Sequence, residues 1–99
     1  MSFERFADPA CQRGLTFVYR VQHAPSVEVF AQVIGALAQR SQQTWGERLV
    51  DIWIVPRRFE CQFGVRDLEI RFMHRFSANA RQRVADQQMF ESALSEALR

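Results

Sequence analysis

Arg48-Leu49-Val50-Asp51-Ile52-Trp53-Ile54-Val55 is the stretch whose reading decides the fold. Val50, Ile52 and Ile54 fall on one side of an extended chain, and Leu49, Trp53 and Val55 on the other, with Asp51 the single polar interruption. A β-branched and aromatic run that is apolar on both sides suits a strand in the middle of a sheet. Pro56-Arg57 then predicts a turn or bulge, because a proline nitrogen has no proton to give to a ladder. Phe59, Cys61 and Phe63 alternate with Arg58, Glu60 and Gln62, which is the period of a second strand. After a break over residues 64–67, Leu68, Ile70, Phe72, His74 and Phe76 alternate with Glu69, Arg71, Met73 and Arg75, giving a third.

Upstream, Leu15, Phe17, Tyr19 and Val21 alternate with Thr16, Val18, Arg20 and Gln22, predicting another strand. Residues 1–14 contain Pro9 and Gly14 and show no period, so they read as an irregular lead-in. His23-Ala24-Pro25-Ser26 breaks the strand: Pro25 disfavours helix just before it, and Ser26 suits an N-cap. Phe30, Val33, Ile34, Leu37, Ser41 and Trp45 recur at three- and four-residue steps, which predicts a helix over 27–45 ended by a left-handed Gly46. Downstream, Phe90, Ala93, Leu94, Ala97 and Leu98 form the stripe of a last helix. Its start falls near 79 or near 86, with Ser77 or Asn79 as the candidate cap.

These elements predict one α+β domain over residues 1–99 in β-α-β-β-β-α order. The architecture is a two-layer sandwich: a mostly antiparallel four-stranded sheet with both amphipathic helices on one face. The first strand, the helix and the next strand would make a right-handed crossover if those strands ran parallel.

Composition narrows the function classes. A 99-residue chain has a modest core, and partner burial would add to its stability. With 47% hydrophobic and 24% charged residues it is ordinary globular protein. The net charge is +2, and acidic and basic residues are interleaved, so there is no basic tail or acidic tract. Every basic side chain is arginine. Arginine offers bidentate recognition that lysine cannot, but the arginines are spread over every segment, as a GC-rich genome alone would produce. Cys11 and Cys61 are too few for a disulfide framework, and the N-terminus lacks the apolar run of a signal peptide. No apolar stretch approaches a membrane span. Together these features point to a cytoplasmic protein.

The functional expectation rests on the sheet face the helices leave open. If the helices cover Phe17, Ile52, Phe59, Cys61, Ile70 and Phe72, the other face displays Trp53 flanked by Leu49, Asp51 and Val55. Around that centre stand Thr16, Arg20, Gln22, Arg58, Glu60, Gln62, Glu69, Arg71 and Arg75. Tryptophan and arginine concentrate binding energy at protein interfaces, and a charged rim adds specificity. The alternative is that Arg and Glu merely pair across strands and the lead-in covers Trp53. The expected function is a non-enzymatic adaptor, inhibitor or regulatory subunit, forming a homodimer or binding another protein through Leu49, Asp51, Trp53, Val55, Arg20, Arg58, Arg71 and Arg75. A second reading is nucleic-acid binding by Arg20, Arg71, Arg75, Arg81 and Arg83, which the balanced charge and the face's carboxylates argue against. A third is a small enzyme using Cys61 with His74 or His23. Cys61 and His74 fall on the helix-covered side, however, where both suit inert core positions. Asp51 calls for an arginine from a neighbouring strand, Arg58, Arg71 or Arg75. No metal is expected, since Cys11, Cys61, His23 and His74 lack ligand spacing. No cofactor is expected either, because the four glycines do not cluster.

Overall fold

The computed structural model describes residues 3–9, 14–64, 68–75 and 78–99. The chain is α+β, with a six-stranded antiparallel sheet and two helices. Its elements are β1 (Phe3–Ala7), β2 (Thr16–Val21), α1 (Val27–Ile34), β3 (Gln39–Trp45), β4 (Arg48–Val55), β5 (Phe59–Gly64), β6 (Glu69–His74) and α2 (Ala80–Ala97). The strands lie in the order β1-β2-β6-β5-β4-β3, and every neighbouring pair is antiparallel. No parallel crossover therefore joins adjacent strands.

Two strands exceed the expected four. Part of the lead-in is β1, which pairs along β2 with Phe3 opposite Val21. The helix expected over 27–45 stops at Ile34, and residues 39–45 turn back as β3. Gln39 to Thr44 contains no apolar residue, so the helical spacing from Leu37 to Trp45 rested on Ser41 alone. Gly46 does adopt the left-handed conformation, at φ 64°. Its role is different, however: it opens the two-residue turn of the β3–β4 hairpin, where Trp45 faces Arg48. A glycine at positive φ in the first loop position is the type II′ hairpin pattern.

Other local signals act as read. Ser26 caps α1, its Oγ accepting from the Val29 amide at 3.3 Å. Asn79 caps α2, its Oδ1 accepting from the Gln82 amide at 2.8 Å, so the last helix starts at the earlier of the two expected positions. Arg57 occupies the third position of a turn closed by the Arg58 amide donating to the Val55 carbonyl at 3.0 Å. Its φ is 68°; with Pro56 before it, this is a type II turn carrying arginine where glycine is usual. The candidate cap Ser77 and the strand residue Phe76 lie outside the described residues, as does most of the expected break at 64–67.

The core lies between one face of the sheet and both helices. Phe30 of α1 packs edge-on against Trp53 and Phe63, with ring centroids 5.3 and 4.9 Å apart. Phe90 of α2 meets Tyr19 and Phe72 at 5.0 and 4.7 Å. Phe17, Phe72, Cys61 and Trp53 are partners in one row across β2, β6, β5 and β4. Trp53 therefore faces the helices and is 2% exposed. This corrects the reading that put Trp53, Leu49, Asp51 and Val55 on the open face: the phase of β4 is inverted. The other row of β4, Val50, Ile52 and Ile54, takes the open face instead. Because both rows are apolar, alternation alone carried no information about which one the helices cover.

Candidate functional site

The open face is built from alternate residues of each strand. β2 contributes Thr16, Val18 and Arg20; β6 contributes Glu69, Arg71 and Met73; β5 contributes Glu60 and Gln62. β4 adds Arg48, Val50 and Ile52, and β3 adds Ser41, Gln43 and Trp45. Val50 and Ile52 are only 2% and 5% exposed, although neither helix lies on this side and neither residue belongs to the main core cluster. They form the buried floor of the open face.

A groove of about 370 Å³ runs over that floor. Val50, Gly64 and Met73 form its base, Gln62, Glu69 and Arg71 one wall, and Arg48 and Trp45 the other. A shallower hollow continues from it past Arg48 and Glu69 to Arg20 and Leu68. Trp45 is 43% exposed, and its indole Nε1 donates to Gln43 Oε1 at 3.0 Å. Among the described residues it is the tryptophan a partner could reach.

Ion pairs rim the groove. Arg20 Nη2 lies 3.1 Å from Glu69 Oε1, its partner in the adjacent strand, and its guanidinium sits over the Phe6 ring at 5.2 Å from the centroid. Arg71 Nη1 reaches Asp8 Oδ2 at 2.8 Å, and Arg75 Nη2 reaches Glu60 Oε1 at 3.2 Å. Gln62 Nε2 donates to the other oxygen of Glu60 at 2.6 Å. Half-exposed pairs of this kind contribute little to stability, on the order of 0–1 kcal/mol each. Their effect on the surface is larger, since three of its arginines are locally neutralised.

The residues expected at the site are thus divided. Arg20, Arg71 and Arg75 belong to the open side. Arg58 does not: its Nε and Nη2 donate to Asp86 Oδ1 of α2 at 3.1 and 2.6 Å. Asp51 is buried on the helix side, and the arginine that satisfies it comes from none of the expected positions. Arg40 of β3 donates from Nε and Nη2 to its two oxygens, at 2.9 and 2.6 Å. The same guanidinium lies 4.9 Å from the centroid of the Trp53 ring. Arg81 and Arg83 stand at the start of α2, in the helix layer, and Arg83 Nη1 donates to the Ala78 carbonyl at 2.7 Å. The five arginines of the nucleic-acid reading do not share one face.

Cys61 and His74 are both buried on the helix side, as their alternation predicts. Burial pushes the Cys61 thiol well up, away from the reactive thiolate. His74 Nε2 contacts Gln87 Oε1 at 3.1 Å, and burial lowers its pKa. Gln87 also donates to the Tyr19 hydroxyl at 3.0 Å, and that hydroxyl donates to Glu91 Oε2 at 2.7 Å. Arg5 Nη1 pairs with the same Glu91 oxygen at 2.8 Å. This chain of polar side chains fastens α2 to the sheet, and burial raises the Tyr19 pKa above its ordinary value. Cys11 lies outside the described residues. Among the described residues, no three His, Cys, Asp or Glu side chains are grouped to hold a metal ion. No described helix is long and apolar enough to cross a membrane.

Sequence reasoning passed over Trp45 and Arg48, the two residues of the far wall. The available signal was Trp45-Gly46-Glu47-Arg48, a glycine-led pair between a polar β-compatible run and a strong strand. No protein-family model, curated protein or solved structure matches the chain.

Proposed function

We propose that this protein is a non-enzymatic interaction module that binds another protein through the open face of its sheet, with Trp45 as the anchor. The observation that carries this reading is the groove between Trp45 and Arg71, whose floor is apolar and whose rim is ion-paired. An accessible tryptophan beside a desolvated floor is the arrangement in which interface energy concentrates. The rim pairs offer both charge signs, which suits the mixed surface of a protein better than a uniformly anionic one.

The test is capture from an extract of the source cells on the immobilised protein, comparing wild type with Trp45→Ala. A bound protein should be retained by the former and weakened by more than about 1 kcal/mol, or roughly fivefold in affinity, in the latter. Equal retention by both proteins would sink the proposal. A second reading, single-stranded nucleic acid stacked on Trp45, is favoured only by the run of Arg20, Arg48 and Arg71 along the groove and hollow. It predicts retained nucleic acid whose affinity falls steeply with salt.

A further inference from the structure

β3 is an edge strand that has not been protected. All seven residues from Gln39 to Trp45 are exposed, and among the described residues the strand has a neighbour on one side only. An edge of this length presents a row of unpaired N–H and C=O groups to any extended chain that approaches it. Edge strands are normally blunted by charge, proline, a bulge or short length. The opposite edge, β1, follows that rule with five residues that include Glu4 and Arg5. β3 is longer, contains no proline and pairs along its whole length without interruption. Its single charged residue, Arg40, does not guard the edge. The guanidinium is folded back over β4, held by both oxygens of Asp51 and stacked on Trp53.

What could occupy this edge is constrained by its side chains. We propose that β3 pairs with β3 of a second copy of this chain, antiparallel about a two-fold axis at Gln42. The axis stands perpendicular to the sheet, so each residue meets a partner on its own face. Gln42 then opposes Gln42, Arg40 opposes Thr44, Ser41 opposes Gln43 and Gln39 opposes Trp45. No two like charges meet, and the uncharged amide and hydroxyl side chains can hydrogen-bond across the junction. A register shifted four residues toward the start, centred on Arg40, would set two arginines face to face. Two six-stranded sheets become one of twelve, with all four helices on the same side. This contact uses the edge of the strand; on the open face it meets the groove only at Trp45, opposite Gln39, and the groove base of Val50, Gly64 and Met73 stays uncovered, so it stands apart from the function proposed above.

A single strand pairing belongs to the class of modest interfaces, so the association is concentration-dependent. Sedimentation equilibrium of the wild type up to about 1 mM chain should show a monomer–dimer equilibrium. Gln42→Lys places two ammonium groups opposite each other at the axis, on the face away from the groove. It should weaken the dimer by roughly fivefold or more, and because Asp51 lies opposite Gln42 in β4, the thermal midpoint of the dilute monomer is measured alongside so that loss of pairing is read apart from any change in the fold. In a Cys11→Ser background, Gln42→Cys should cross-link to a covalent dimer on mild oxidation, whereas Gln39→Cys should not. Directly opposed strand residues lie within disulfide reach, and the two copies of residue 39 are far apart. A wild type that stays monomeric throughout that range overturns the proposal, as does a dimer indifferent to Gln42→Lys. If such a dimer is instead dissociated by Trp45→Ala, the copies meet through the groove.

Discussion

Asp86 is a carboxylate with no exposure at all, set in the apolar stripe of α2. Arg58 donates to it twice and Gln82 Nε2 once, at 2.9 Å, while its second oxygen has no partner among the described residues. Removing the cation leaves a buried charge uncompensated. Arg58→Ala should therefore cost about 3 kcal/mol in urea unfolding, and the apolar pair Arg58→Met with Asp86→Leu should recover most of it. His74 supplies a pH dependence of known sign. Burial lowers its folded pKa below the ordinary 6.5, so the unfolded chain binds the proton more readily. Its contribution to stability is present above pH 6.5 and is lost as the pH falls from there toward the folded value. Thermal midpoints measured between pH 7.5 and pH 5.5 should fall, and His74→Phe should flatten that part of the curve.

At the scale of elements, the hairpin formed by β3 and β4 is the feature the chain's periodicity concealed. A strand exposed on both faces needs no alternation, so nothing in Gln39 to Thr44 distinguishes it from the polar side of a helix. Gly46 is left-handed in both descriptions, at the end of the expected helix and at the head of the observed hairpin, so the cost of replacing it with alanine is the same in sign. An added Cβ there would meet nothing within 4 Å, so the effect of Gly46→Ala is purely conformational. At φ 64° in a hairpin the substitution should destabilise by about 1 kcal/mol or more, read from the thermal midpoint.

On the scale of the whole molecule, the sheet has two working faces that its two tryptophans report separately. Trp53→Phe leaves the exposed Trp45, whose emission should be red-shifted and quenched by iodide. Trp45→Phe leaves Trp53, buried against Phe30 and Arg40, whose emission should be blue-shifted and shielded. The opposite pattern would contradict the phase of β4 and with it the composition of the groove. The strands at 16–21, 59–64 and 69–74 could be read directly because one face of each is apolar and the other polar, which fixes their phase. From that pattern Arg20, Glu60, Gln62, Glu69, Arg71 and Arg75 were legible as the open side.

The sequence by itself determined that this is an α+β chain, that residues 48–55 form a strand paired on both sides, that Ser26 caps the first helix, and that Arg20, Arg71 and Arg75 face away from the helices. Those properties are local, set by side-chain period and capping chemistry within a few residues. Only the tertiary structure decided which row of β4 the helices cover. Val50, Ile52 and Ile54 compete with Trp53 and Val55 on equal hydrophobic terms, and Asp51 can lie inside because Arg40 reaches it from the next strand. Likewise, β1 and β3 are strands because neighbours supply their hydrogen-bond partners, and Trp45 becomes a groove wall because the hairpin folds it onto the open face. Pairing between distant segments leaves no period in the segments themselves.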